Sequence, residues 1–216
     1  MRIGIPVYDQ VDMLDVAGPY ELFIWAGYKI ELVTERPGRL TFRKGFTFEV
    51  ARSFKEAGTY DVLWVPGGDP EALVKLMANR KYLDFLKEKS RHAKFVASVC
   101  EGAMLLAAAG LLDGYTATTH WAFYPCLKRF RKVKLADGYP RYCLDRNRLT
   151  GGGISSGLDE ALMLIQLLDG TAVAQNVQQS TQYYPRPPVT SEIIPDRKCP
   201  LDGLTKSASR RTSTGR

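Results

Sequence analysis

Short apolar runs alternate with helical stretches along this chain, and that alternation limits the folds open to it. Ile3–Tyr8, Tyr28–Thr34, Asp61–Val65 and Lys94–Val99 read as strands. Val16–Trp25, Pro70–Met77 and Lys81–Ser90 read as helices. In the first of these, Leu22 and Trp25 recur at helical spacing and Pro19 falls in the opening turn, where its missing N–H costs little. Ala103–Ala109 is built from strong helix formers and is stopped by Gly110. Thr41–Val50 reads as a hairpin turning near Lys44-Gly45, and Tyr142–Arg148 as one turning at Arg146-Asn147. Thr116–Thr119 is expected as a short strand and Trp121–Phe130 as a helix. Leu149–Gly153 reads as a glycine loop opening a helix over Ser156–Leu168, with a final helix over Ala172–Gln182. Strands that are apolar on both faces and separated by helices imply an α/β fold: a mainly parallel sheet sandwiched between helices.

With 216 residues and no internal repeat, one folded domain over residues 1–188 is expected. The net charge of +7 is unevenly placed: residues 197–216 hold six Arg or Lys against one Asp. This Ser/Thr-rich end has no apolar periodicity, so residues 189–216 are expected to form a disordered basic tail with weak electrostatic stickiness. Neither it nor the Lys128–Lys132 run argues for nucleic acid as a partner. No apolar run approaches the roughly 18 residues of a membrane span. The N-terminus enters a strand at once, without a signal peptide's apolar core, so the expected location is cytoplasmic. Cys100, Cys126, Cys143 and Cys199 show no metal spacing, and with only two histidines no metal constellation is visible. Outside Cys100 they are expected to be bystanders in a reducing compartment.

In an open parallel sheet, sites form beyond the carboxyl ends of strands. Three loops leave such ends: the segment with Asp12 and Asp15, Pro66-Gly67-Gly68, and Val99-Cys100-Glu101-Gly102. A Cys on a sharp strand-to-helix turn is lifted into the cleft, and a helix N-terminus favours its thiolate. A small buried hydrophobe is the bland alternative for Cys100, and a helix N-cap the bland alternative for Asp15.

Ala97-Ser-Val-Cys-Glu-Gly-Ala103, Ala107-Ala-Ala-Gly-Leu-Leu112, Ala117-Thr-Thr-His-Trp121, Val65-Pro-Gly-Gly68 and Leu149-Thr-Gly-Gly-Gly-Ile154 closely resemble the PfpI/ThiJ superfamily. Leu14-Asp-Val-Ala-Gly-Pro-Tyr-Glu21 is similar to its isonitrile hydratases and to the amidotransferase-like domains of AraC-type regulators. The resemblance spans about residues 1–188. It implies a flavodoxin-like three-layer sandwich, a homodimer, a small-molecule substrate and no metal or organic cofactor. It also implies a nucleophile at Cys100, which attacks the terminal carbon of an isonitrile to give a thioimidate that water releases as a formamide, and an acid/base at Asp15. Gly68, Glu101, His120 and Ile154 become candidate substrate-binding or oxyanion positions. Glu101 departs from the Thr that hydratases commonly carry there, and from the His of the superfamily's Cys-His proteases and deglycase-like members. It is therefore a rival to Asp15 as proton donor. Glu21 is a weaker candidate for a second acid. Glyoxalase- or deglycase-like action on small aldehydes, ligand sensing, and oxidation of Cys100 are the competing expectations.

Overall fold

A computed structural model describes residues 1–204 apart from Phe46 and Asp196. Its first half runs β1 (Arg2–Pro6), α1 (Met13–Trp25), β2 (Lys29–Thr34), β3 (Gly38–Thr41), β4 (Thr47–Val50), β5 (Arg52–Ser53), β6 (Val62–Val65), α2 (Pro70–Met77), α3 (Arg80–Ser90) and β7 (Phe95–Ser98). There follow α4 (Gly102–Ala108), β8 (Thr116–Ala117), a 3₁₀ turn (Trp121–Phe123), α5 (Tyr124–Leu127), β9 (Lys134–Leu135), β10 (Tyr142–Asp145), β11 (Arg148–Gly151), α6 (Ser156–Asp169) and α7 (Thr171–Ser180).

Seven strands form the central sheet in the order β10-β11-β7-β6-β1-β2-β5. Every pair in it is parallel except β10–β11, the edge hairpin. The helices pack in two groups, α1 with α6 and α7, and α2 with α3, α4 and α5. These are the two outer layers of a flavodoxin-like sandwich. The strand interiors account for the placement: Val62, Leu63, Trp64 and Val65 of β6 are fully buried, as are Val96 and Ala97 of β7. Trp64 meets Phe23 of α1 edge to face at 5.3 Å, which seats that helix against the centre of the sheet. Among the described residues no helix is long and apolar enough to cross a membrane.

Three expectations change. Leu149–Gly151 is not loop but the buried end of β11, paired in register with β7 and β10. Gly151 is required there because a Cβ would collide with the Glu160 carboxyl of α6. The helix expected over Trp121–Phe130 is only the 3₁₀ turn and α5, because the chain turns after Leu127. The tail expected to be disordered from residue 189 is held to the domain as far as its described part goes. Cys199 and Leu201 are buried, and Cys199 is bonded to Cys126. Residues 205–216 of that tail lie outside the described residues.

The sheet order reverses between β1 and β6, so the chain ends leaving β1, β6, β7 and β11 diverge around one crevice. Backbone packing there is tight: a Cβ on Gly102 would strike the Val65 carbonyl oxygen. Gly102→Ala is therefore expected to destabilise the protein by about 1–3 kcal/mol, a typical cost of overpacking. The measurement is a urea denaturation curve whose midpoint falls at unchanged slope.

Candidate active site

Cys100 leaves β7 with φ 55°, the left-handed region that L-residues rarely occupy. Three contacts hold it there. Its N–H donates to the Gly152 carbonyl at 2.8 Å, and its own carbonyl accepts the Thr119 hydroxyl at 2.8 Å. The Gly102 N–H closes the turn onto the Val99 carbonyl at 2.9 Å. Strain of this kind persists only where neighbours over-determine it, and it turns the side chain across the sheet end. The sulfur has no exposed surface, and the Ile154 N–H points at it.

Its other neighbours are acids. Asp12, Asp15, Cys100 and Glu101 offer donor atoms that all lie within 4.8 Å of one another, and all four residues are buried. Asp15 does not cap α1; Asp12 holds that position, without a side-chain cap bond. Asp15 instead sits in the first turn, where its Oδ2 accepts the Gly67 N–H at 2.8 Å. The Trp64 indole donates to the Asp15 carbonyl at 3.1 Å and fixes the turn from below. Asp15 Oδ1, Glu101 Oε2 and Asp12 Oδ2 are buried and make no hydrogen bond. One cation stands at the rim: Arg43, in the turn between β3 and β4, lies 3.7 Å from Asp12 Oδ1 and 3.8 Å from Asp69 Oδ2.

The charges decide the protonation. Burial, then the neighbouring carboxyls, pushes Asp15 well above the usual carboxylate range, against the Gly67 N–H. Burial raises Glu101 to about 7. The Cys100 thiol is also driven up, first by burial and then by Asp15 and Glu101, with only the Ile154 N–H acting the other way. The expectation of a thiolate stabilised by a helix N-terminus is thus overturned. Burial, with the Asp15 and Glu101 carboxyls, outweighs the few backbone dipoles of α4 and keeps Cys100 a thiol.

Comparison with known proteins places this arrangement. Residues 1–167 match the DJ-1/PfpI family. The chain belongs to the DJ-1/PfpI family. It is 37% identical to an isonitrile hydratase of Pseudomonas putida over 192 residues, covering 88% of this chain and 82% of the relative. It is 31% identical to a deglycase of Pyrococcus abyssi over 130 residues, 59% of this chain and 75% of the relative. A crystal structure of a ThiJ/PfpI family protein from Pseudomonas syringae superposes with TM-score 0.84 at 29% identity, covering 98% of this chain and 86% of that one.

Within this DJ-1/PfpI site the remaining candidates divide. A Cβ added at Gly68 would meet the Gln10 carbonyl and the Tyr8 hydroxyl. Gly67 faces the cluster instead: a Cβ there would stand 2.5 Å from Glu101 Oε2 and 2.9 Å from Asp15 Oδ2. His120 and Ile154 line a cavity of about 480 Å³ together with Leu14, Trp121, Tyr139 and Thr119. The His120 Nδ1 accepts the Ala122 N–H at 3.2 Å, and burial, with Arg43, depresses its basicity. The imidazole is therefore neutral, with its proton on Nε2. Glu21 is exposed on α1, where Trp25 donates to it at 3.0 Å, and it takes no part in the site. The sequence marks Asp12 and Gly67 only as members of site-forming loops, and Arg43 and Glu160 not at all. The Pro-Gly-Gly run and the Asp12/Asp15 pair carried a signal for the first two; no local pattern marks the others. Spacing also concealed that the thiol and three carboxyls converge into a mixed sulfur–oxygen donor set of the kind a divalent cation could use once deprotonated. Cys143 is partly buried and free, whereas Cys126 and Cys199, expected as bystanders, are bonded to each other.

The cluster's protonation is open to test. The folded-state pKa of Glu101 lies above its unfolded value, so its stabilising contribution is complete below about 4.5 and is lost as pH rises through about 7. Glu101→Gln should be more stable than wild type at pH 8, by on the order of a few kcal/mol, with the difference vanishing near pH 4. With one negative neighbour removed, the Cys100 thiol should also ionise at lower pH. Its iodoacetamide labelling at pH 8 should rise about tenfold for each pKa unit recovered, read by peptide mass spectrometry.

Proposed function

We propose that this protein hydrates a small isonitrile to an N-substituted formamide through Cys100. The observation that carries the reading is a protonated thiol set against two carboxyl groups, Asp15 and Glu101, each with a free buried oxygen. The similarity to an isonitrile hydratase over 88% of this chain supports it. The terminal carbon of R–N≡C must gain both a nucleophile and a proton, so a site rich in shared protons suits it better than a bare thiolate. The Cys100 sulfur bonds to that carbon as its proton passes to the Glu101 carboxylate, the group poised near neutral pH. Asp15, held protonated by burial and by its neighbours, gives a proton to the same carbon. The product is the thioimidate R–N=CH–S–Cys100, and the cluster has kept its proton count. Water then adds to the carbon with one of its protons moving to the nitrogen, and the other passes through the carboxyl pair to the departing sulfur while Glu101 hands a proton back to Asp15. The C–S bond breaks to return the thiol and release R–NH–CHO. The Ile154 N–H, facing the sulfur, stabilises charge on it as bonds form and break. His120 presents Nε2–H as a donor in the cavity that holds the R group.

With this reading we place the enzyme in the cytoplasm, working as a homodimer without nucleic acid and without a metal or organic cofactor. The exposed apolar side chains Leu14 and Ile154, both lining the cavity, support pairing of two copies. A second reading, glyoxalase- or deglycase-like action on a small aldehyde through the same thiol, is favoured by the deglycase among the relatives.

Incubation with cyclohexyl isonitrile should yield N-cyclohexylformamide, and Cys100→Ala should yield none. Asp15→Asn should lose at least about 100-fold in kcat, the usual scale of a lost proton transfer. In wild type kcat/KM should rise with pH through about 7, as Glu101 ionises, and this limb should disappear in Glu101→Gln. Lactate from methylglyoxal in place of formamide would transfer the assignment to the second reading.

A further inference from the structure

None of the described residues beyond α7 belongs to the thiol–carboxyl cluster, yet two of them line the cavity of the site. Ser191 and Ile193 line the 480 Å³ cavity together with Trp121, Tyr139 and Ile154. Cys100 is buried and not itself in the cavity wall, but three residues tied to its turn are. That wall includes Gly152, which accepts the Cys100 N–H, Thr119, which donates to the Cys100 carbonyl, and Ile154, whose N–H faces the sulfur. A substituent carried by a molecule bonded to that sulfur has this space to enter.

What keeps residues 191 and 193 there is not local structure. Every described residue from Tyr184 to Lys198 is exposed, and residues 185–195 make no backbone hydrogen bond with any described residue. The segment is fixed at its ends. α7 terminates at Ser180 on one side; on the other, Cys199 is bonded to Cys126 of α5, Leu201 is buried, and Asp202 pairs with Arg129. A strap without internal hydrogen bonds holds its place only through such anchors, because chain entropy otherwise disperses it.

We propose that the Cys126–Cys199 bond makes this strap the specificity-determining wall of the site, with Ile193 limiting the bulk of the substituent that can reach Cys100. The assignment of the substituent to an isonitrile rests on the proposed function; the wall itself does not. The bond is also a control point. A dithiol reductant supplies two electrons and two protons, the S–S bond becomes two thiols, and the reductant closes to its own disulfide. In a reducing compartment that exchange frees the strap and opens the cavity to bulkier groups.

The test separates the wall from the reaction. Full-length wild type, kept oxidised, is compared with Cys199→Ser and Ile193→Ala, the latter at an exposed position whose truncation leaves the anchors intact. Cys100 labelling by iodoacetamide and by bulky N-(1-pyrenyl)maleimide is followed by peptide mass spectrometry, which also distinguishes Cys143. The ratio of bulky to small labelling rates should rise at least fivefold in both variants and in wild type reduced by a dithiol and then freed of it. The ratio of kcat/KM for an aryl against a methyl isonitrile should rise in parallel. A raised labelling ratio without isonitrile turnover in any form would sustain the wall and remove the proposed reaction. An unchanged ratio in Ile193→Ala and in Cys199→Ser, or Cys126 and Cys199 staying unlinked after mild oxidation of the purified protein, would overturn the inference.

Discussion

Three carboxyl groups and a thiol share one buried space, and most of the site follows from how that space tolerates them. Fully ionised, Asp12, Asp15 and Glu101 would place three negative charges within 4.8 Å of one another in a region shielded from water. Like charges at such range cannot all be sustained, so protons are retained and their positions are coupled. Arg43 offsets part of the charge from the rim, and the Gly67 N–H part of it from inside. What remains is a cluster that holds and exchanges protons near neutral pH, with Glu101 poised at about 7.

The fold supplies this constraint through several strands. β1 leads to the turn bearing Asp12 and Asp15, β6 to Gly67, β7 to Cys100 and Glu101, and β11 to Gly152 and Ile154. Each group reaches the crevice from a different parallel strand, and each is pinned by backbone contacts across strand ends. The Cys100 N–H is tied to Gly152 and the Asp15 carboxyl to Gly67. Glu160, buried beneath Gly151 and electrostatically coupled to Asp15, extends the acidic region into the layer behind the sheet. The rigidity of the sheet thus becomes the rigidity of the acids, and it maintains the unfavourable backbone at Cys100.

Much of this was legible in the sequence because it is written locally. The apolar runs around Val62–Val65 and Phe95–Ser98 announce buried parallel strands, and Cys100-Glu-Gly at the end of one announces the turn. Asp15 was identifiable only by resemblance, since its local pattern equally suits a helix cap; its bond to Gly67 bridges 52 positions, which no window on the sequence spans. The thiolate expectation failed for a similar reason. The helix N-terminus after Cys100 is a local feature, while the burial that opposes it and the Asp15 carboxyl come from tertiary packing. The glycines from 151 were taken for a loop because their burial against Glu160 is a tertiary fact. The Cys126–Cys199 pairing, 73 residues apart, has no motif to show it.

The protonated state of Cys100 also bears on which competing role fits the site. Oxidation of a cysteine follows its thiolate character and exposure, and here both are suppressed: the sulfur is fully buried and its acidity is lowered by two carboxyl neighbours. A sensor of peroxide needs the reverse arrangement, an exposed sulfur beside positive charge. Addition of a thiol across an electrophilic carbon needs what is present, a proton to remove and another to deliver within the same few ångströms. Sensitivity to redox conditions is better sought at the Cys126–Cys199 bond, whose sulfurs serve no step of the proposed chemistry and whose reduction changes what can approach the cluster rather than the cluster itself.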